Sequence, residues 1–136
     1  MPDVVDAIAI AGSGMKVQGD RMRVIAQNMA NVDSTSLVPG GEPYRRKTIT
    51  FKNVLDREMG VDKVEVARYG VDNSAFRLKY DPNHPAADVQ GYVKVTNVSS
   101  IIEIVDMREA QRAYEANLNI IEASKSMASS TLQLIR

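Results

Sequence analysis

The sequence has 136 residues, of which 44% are hydrophobic and 25% charged, a composition typical of one water-soluble domain. Seventeen Lys and Arg balance seventeen Asp and Glu, so no net charge draws the chain toward nucleic acid or an anionic membrane. The absence of cysteine excludes thiol nucleophiles, disulfides and cysteine-ligated metal sites.

The start of the chain favours neither a membrane span nor a cleaved signal peptide. The charge-free stretch from Ala7 to Met15 is far shorter than the ~20 apolar residues that cross a bilayer. Asp3 and Asp6 lie where a signal peptide carries positive charge. We therefore expect that the protein, if exported, leaves the cell by another route.

Residues 1–31 show the seven-residue apolar repeat of a helix that packs on another helix. The repeat consists of Ile8, Met15, Met22 and Met29, with Ala11 and Ile25 between them. Gly12, Gly14 and Gly19 each cost a helix about 1 kcal/mol relative to alanine, so this helix is expected to need partners. Glycines beside such a seam also let a second helix approach closely.

Residues 32–43 are rich in Ser, Pro and Gly and predict a loop. Residues 44–97 then alternate apolar and polar side chains, which predicts a small antiparallel β insert. The predicted strands cover residues 47–51, 64–69, 76–80 and 92–95. Residues 70–74 are expected to turn the middle two strands into a hairpin, with Leu78 and Tyr80 on a half-buried face.

Residues 98–136 predict one long helix, because neither Pro nor Gly occurs after Ser100. Ser100 and Glu103 match a capping box at its start. About 36 residues at 1.5 Å each would extend ~54 Å. Its predicted seam is formed by Ile104, Met107, Tyr114, Leu118, Ile121, Leu132 and Ile135.

These patterns predict an α+β fold in which the two terminal helices pack as an antiparallel, coiled-coil-like hairpin, with the small antiparallel β insert between them in the chain. Two helices cannot bury every apolar side chain present. The residues that lie off the seam are Ile101, Ile102, Val105, Ile120 and Leu134. Part of that surface is expected to contact other chains.

No catalytic site is predicted, and neither cofactor nor metal is expected. His84, the only histidine, could form a metal site with Asp81 and Asp88, but the surrounding prolines favour a hydrogen-bonded turn. The basic cluster Arg45–Lys47 could contact nucleic acid. A solvated strand edge or a salt-bridged contact between subunits is the stronger interpretation, because phosphate binding usually needs more positive groups.

Particular motifs resemble bacterial flagellar axial proteins, and among them the proximal-rod family FlgC. The amino-terminal motif contains Asn28 and Asn31 in the run Asn28-Met29-Ala30-Asn31. The middle motifs contain Pro43, Tyr44, Arg45, Arg46 and Lys47, then Tyr80, Asp81, Pro82, His84 and Pro85, then Gly91, Tyr92, Val93 and Asn97. The run Tyr114-Glu115-Ala116-Asn117 extends the resemblance into the last helix.

The resemblance implies a structural subunit of the basal-body rod, which spans the periplasm, transmits motor torque and encloses the export channel. Expected partners are further copies of the chain, other rod proteins and, in transit, the type III export machinery, with the inner-membrane ring and export gate contacted indirectly. No nucleic acid or small-molecule substrate is expected. The resemblance also implies export without a cleaved signal and terminal helices that order on assembly.

Two alternatives remain open at this stage. One is another flagellar axial protein or an export-linked adaptor, and the other is a small metal-dependent enzyme that uses His84. If the rod assignment holds, Leu118→Asp is expected to abolish assembly by placing a charge in the seam.

Overall fold

The computed structural model describes residues 2–136 and confirms an α+β chain of two long helices with small β-sheets between them. Helix α1 covers Pro2–Ala30 and helix α2 covers Ser100–Ile135. The strands are β1, Lys47–Asp56; β2, Val61–Val71; β3, Arg77–Tyr80; and β4, Tyr92–Val95. No helix among the described residues is long and apolar enough to cross a membrane.

The chain divides into two compact units, and each helix contributes to both. Of the described residues, the first unit comprises those up to Met22, Ile49–Arg68 and Arg108–Arg136. The second unit comprises Arg23–Thr48 and Tyr69–Met107.

In the first unit, α1 and α2 run antiparallel. A Cβ atom added to Gly14 would lie 2.6 Å from Nδ2 of Asn117, so the two helices approach closely there. Seven residues further along α1, Arg21 donates a 3.2 Å hydrogen bond to Glu109, eight residues back along α2. A step forward along α1 thus corresponds to a step backward along α2, so the two helices are antiparallel.

The first unit also contains most of the β1–β2 hairpin. The turn closes where the Gly60 amide donates to the Asp56 carbonyl at 2.7 Å. The hydrogen bond from Lys63 and those from the following backbone amides hold the pKa of Asp56 below its ordinary value. Strand β2 joins α1 because the Val64 amide donates to Ser13 Oγ at 3.2 Å.

In the second unit, β3 and β4 form an antiparallel pair with Arg77 opposite Val95 and Tyr80 opposite Tyr92. The core of this unit is small and lies around β4 and the helix ends. Its buried members are Val24, Ile25, Asn28, Ala86, Val93, Thr96, Val98 and Glu103.

Two details of the β prediction are wrong. Strand β2 pairs with β1, and β3 pairs with β4, so residues 70–74 do not form a hairpin turn between β2 and β3. Strand β3 is exposed on both faces, with Leu78 63% and Tyr80 65% exposed, so it is not half-buried within the chain. Its alternating pattern indicates a strand but does not indicate what covers it.

Candidate assembly site

The centre of the second unit is a buried polar network around Glu103. The side chain of Glu103 is fully excluded from solvent. Arg46 Nε donates a 2.5 Å hydrogen bond to its Oε1, and Asn28 Nδ2 donates a 3.3 Å hydrogen bond to its Oε2. A buried carboxylate is tolerated only when it is paired and hydrogen-bonded, and both oxygens of Glu103 meet that requirement.

Asn28 attaches the end of α1 to the start of β1. Its Nδ2 donates to the Lys47 carbonyl and its Oδ1 accepts from the Lys47 amide, both at 2.9 Å. The amide side chain thus pairs with one residue's backbone as a neighbouring strand would. Tyr44 adds a 2.7 Å hydrogen bond from its hydroxyl to Asn28 Oδ1.

The side-chain amide of Asn97 also pairs with backbone groups, here those of Arg46 and Asp72. Its Oδ1 accepts from the Arg46 amide at 2.7 Å, and its Nδ2 donates to the Asp72 carbonyl at 3.0 Å. The Asp72 amide in turn donates to the Arg46 carbonyl at 2.8 Å. Two side-chain amides therefore satisfy part-buried backbone groups of Arg46, Lys47 and Asp72.

Arg46 connects three carboxylates. Besides Glu103, its guanidinium lies 3.3 Å from Asp106 and 3.7 Å from Asp72. Burial lowers the pKa of Arg46, but the hydrogen bond and charge of Glu103, aided by Asp106 and Asp72, raise it above the ordinary value overall. The guanidinium therefore remains charged at every pH at which the protein is folded.

Two neighbours of Arg46 have shifted pKa values. Burial, and then the negative charge of Glu103, raise the pKa of Tyr44. Hydrogen bonds from the Ser74 amide and hydroxyl hold the pKa of Asp72 below its ordinary value, with help from Arg46 and Arg45. Both shifts favour the protonation states that the network requires near neutral pH.

The basic cluster is engaged within the chain. Arg45 lies over the ring of Phe76, 4.2 Å from its centroid, and donates to the carbonyls of Asp72 and Ser74. Lys47 Nζ donates to Gln27 at 3.3 Å. Among the residues that the structure describes, only Arg46 of this cluster pairs with carboxylates, whereas Arg45 donates to backbone carbonyls and Lys47 to a glutamine amide. A salt-bridged contact of the cluster with another subunit stays a prediction.

The remaining motif residues shape turns. Asn31 Nδ2 donates to the Gln27 carbonyl and its Oδ1 accepts from Ser34, which closes the end of α1. Tyr80 and Tyr92 meet edge to face at 5.3 Å. The turn that follows Tyr80 contains Asp81, Pro82 and Pro85, and the two neighbours of Tyr92 are Gly91 and Val93. Gly91 lies close to Tyr80 and Pro82. Pro43 is buried at the end of the loop.

His84 belongs to a hydrogen-bonded turn. Its Nδ1 accepts from the Ala86 amide at 3.0 Å, and its own amide donates to the Asp81 carbonyl. An open cavity of about 270 Å³ adjoins it and is lined by Asp33, Thr35, Lys79, Asp81, His84, Val93 and Val95. Among residues 2–136, no three carboxylates or imidazoles cluster closely enough to hold a metal ion.

The predicted seam residues are only partly covered within one chain. Of the seam residues, Ile25 is buried. Six others are half-buried: Ile8, Met15, Met22, Met107, Tyr114 and Ile121. The exposed ones are Met29, Ile104, Leu118, Leu132 and Ile135. Ala11 is a buried seam residue as well, and the other buried helix positions lie beside the seam and are mostly small or polar: Gly14, Val17, Val24, Asn28, Glu103, Ala110 and Ser124. The assembly role of the seam stays a prediction.

Sequence reasoning missed the acidic half of the network. The sequence pattern predicts a helix-capping role for Glu103, but its carboxylate binds Arg46 and Asn28. Asp72 and Asp106 carried no motif. No local pattern in the sequence connects these acidic residues with Arg46.

Known proteins resemble this chain over nearly its whole length. Residues 89–134 match the family model described as flagellar basal body rod FlgEFG protein C-terminal. A flagellar basal-body rod protein FlgC from Agrobacterium fabrum is 48% identical, with 96% of this chain and 94% of the relative aligned. Its namesake from Borreliella burgdorferi is 41% identical, with 96% of both chains aligned. That from Salmonella typhimurium is 38% identical, with 92% of both chains aligned.

Proposed function

The chain belongs to the FlgC family of flagellar basal-body rod proteins, and from that premise we propose that its copies polymerise with other rod proteins into the proximal part of the rod. It is a structural subunit of the rod and not an enzyme. The proposal extends this role to a drive shaft that transmits motor torque and encloses the export channel.

The exposed apolar side chains of the two helices carry this proposal. Leu132 is 64%, Leu134 87% and Ile135 77% exposed at the end of α2, and Ile101 is 75% exposed near its start. Leu132, Leu134 and Ile135 lie within four residues of one another, and a group of exposed apolar side chains marks an interaction site. Polymerisation would cover these residues with helices of neighbouring subunits.

In the proposed rod, α1 and α2 form the inner layer and residues 44–97 lie outside, where they contact adjacent subunits. A 36-residue helix is about 54 Å long and resists bending along its axis. Torque would then pass from subunit to subunit through packed side chains and not through a flexible linker.

The terminal segments are proposed to order on assembly, after export of the unfolded chain through the type III apparatus without a cleaved signal. Gly12 and Gly19 weaken α1 in isolation, and helices gain most of their stability from packing. Contacts with neighbours would offset the conformational entropy that ordering costs. The polar network of the second unit would remain folded in the free subunit, because its partners all belong to one chain.

In this scheme the network acts as a rigid joint between three segments of the chain. A buried, fully paired polar cluster allows one arrangement of its members, since any displacement leaves charges without partners. Asn28, Arg46 and Glu103 would therefore hold the end of α1, the start of β1 and the first turn of α2 in one geometry under torque.

The proposal is tested by mass spectrometry of detergent-purified hook–basal bodies. Peptides of this chain are expected in intact particles, and a strain that lacks the gene should lose the rod. The deletion strain complemented with the unmodified gene is the control. A complete rod in the deletion strain, or absence of the chain from purified particles, would refute the proposal.

A further inference from the structure

One face of α1 in the first unit contains two glycines that nothing described in the chain requires. A Cβ atom added at Gly12 or Gly19 would meet no atom within 4 Å. Gly14 differs, because a Cβ there would crowd the Asn117 side chain. The close approach of α2 therefore explains Gly14 but not the other two.

The surface of α1 has a hole, the space between four side chains that receives one side chain of a facing helix in knobs-into-holes packing. This hole is bounded by Gly12, Met15, Lys16 and Gly19. Their spacing is i, i+3, i+4 and i+7, which is the set of four residues that receives one side chain of a facing helix. Two glycines make this hole unusually deep. At 3.6 residues per turn, Gly12 lies about 200° around α1 from Gly14, so the hole faces away from the chain's own α2.

Helix α2 carries an apolar side chain, Leu118, that could enter this hole and that its own chain leaves partly uncovered. Leu118 is 37% exposed in the same unit. Glu115 and Glu122 flank it at i−3 and i+4, and both are exposed. Those positions lie on the same side of a helix as Leu118.

The charges of the two surfaces are complementary. Lys16, on the rim of the hole, is exposed, and no ion pair joins it to any other described residue. Glu115 and Glu122 likewise have no ion pair within the part of the chain that the structure describes. An apolar knob between two acidic groups thus fits a small apolar hole beside a basic group.

We propose that Leu118 of one copy inserts between Gly12 and Gly19 of a second copy, with Lys16 of the second copy paired to Glu115 or Glu122 of the first. The inference rests on the proposed function, because polymerisation brings the copies together. The occupant of the hole is α2 of another copy of this chain. The two glycines are then required by the assembled rod and not by the single subunit.

Cysteine crosslinking tests the contact, since the natural chain has no cysteine. Two variants, Lys16→Cys and Glu122→Cys, are co-expressed in a strain that lacks the gene, and basal bodies are purified and oxidised. Each chain carries one cysteine, so a disulfide between these two positions joins two copies. The matched control pairs Lys16→Cys with Glu109→Cys, which lies on another face of α2 beside Arg21.

A disulfide-linked dimer several-fold stronger for the Lys16–Glu122 pair than for the control pair would support the proposal. Incorporation of both variants without such a dimer would overturn it and leave the proposed function intact. Absence of the unmodified chain from basal bodies would overturn both.

Charge reversal supplies a second measurement that does not depend on disulfide formation. Lys16→Glu is expected to reduce swimming several-fold, and Glu122→Lys in the same chain should restore it, since every copy then presents reversed charges. Gly19→Leu should abolish swimming, although a Cβ atom added there meets no atom of the same chain within 4 Å. Failure of the double reversal to restore swimming, together with normal swimming of Gly19→Leu, would overturn the contact.

Discussion

Arg46 and Glu103 are joined by a 2.5 Å hydrogen bond although 57 residues separate them in the sequence. The Glu103 side chain is fully excluded from solvent, whereas that of Arg46 is 24% exposed. This pair links the first turn of α2 to the start of β1, and Asn28 links the same carboxylate to the end of α1. Three segments distant in sequence thus depend on one buried charge.

Glu103→Gln is expected to lower the free energy of unfolding of the second unit by about 2–3 kcal/mol, because a charged hydrogen bond to Arg46 is replaced by a neutral one. Asp106 and Asp72 still compensate Arg46 and limit the loss. Urea titration of the purified chain measures the change. Glu109→Gln, at an exposed pair with Arg21, should cost less than ~1 kcal/mol. Equal costs for the two variants would contradict the central role of Glu103.

Asn28→Asp is expected to destabilise the second unit by about 3 kcal/mol, because it replaces a donor with a negative charge beside Glu103 and loses the bond to the Lys47 carbonyl. Asn31→Asp is the matched control. Asn31 closes the exposed end of α1, and its substitution should cost about 1 kcal/mol. Thermal unfolding followed by circular dichroism compares the two, and a larger loss for Asn31→Asp would refute the assignment.

Local periodicity predicted the helices well because their patterns extend over many turns. The 36 residues of α2 and the 29 of α1 contain no proline in their interiors, and their ends lie close to the predicted ones. The α+β class follows from the same signal. Motif resemblance also identified Asn28, Tyr44, Arg46 and Asn97, all of which meet in the network.

Strand pairing and the roles of acidic residues were not predictable in the same way. The hairpin turn at residues 57–60 depends on Gly60, whose φ is +69°, and that glycine stands among charged residues that gave no clear turn signal. Glu103 fits a local capping pattern, and only the fold places Arg46 beside it. A contact between residues distant in sequence produces no periodic spacing of apolar residues in either segment, so periodicity cannot predict it.

Gly91→Ala is expected to destabilise the second unit by about 2–3 kcal/mol. Gly91 has a φ of +86°, and an added Cβ would lie 3.0 Å from the Tyr80 ring and 3.2 Å from Pro82. Gly60→Ala shares the positive φ but has no atom within 4 Å, so it should cost only about 1–2 kcal/mol. Denaturant titration measures both. If Gly60→Ala proved the more damaging, the crowding around Gly91 would be unimportant.

The stability of the second unit is expected to fall in both acid and alkali. Because the folded chain lowers the pKa of Asp72 from 3.8, its contribution is present above that value and is lost as pH falls through the folded pKa. The raised pKa of Tyr44 works in the other direction, so stability is retained below about 10 and lost as pH rises through the folded value. Denaturant midpoints of unfolding, measured over a range of pH, report the loss of stability on the acid limb and on the alkaline limb of the stability–pH curve. Asp72→Asn should flatten the acid limb and Tyr44→Phe the alkaline limb, and unchanged limbs would contradict these assignments.

Leu118→Asp is expected to abolish swimming while leaving the unfolding of the purified chain nearly unchanged. Leu118 is 37% exposed in the single chain, so a carboxylate there can remain hydrated until another helix covers it. Burial of that charge in the rod would cost several kcal/mol without a partner. Glu122 already flanks the position and would repel the new charge further. Asn119→Asp, one residue along and pointing to another side of α2, is the control and should swim normally. Normal swimming of Leu118→Asp would show that this face of α2 stays in contact with water in the assembled rod.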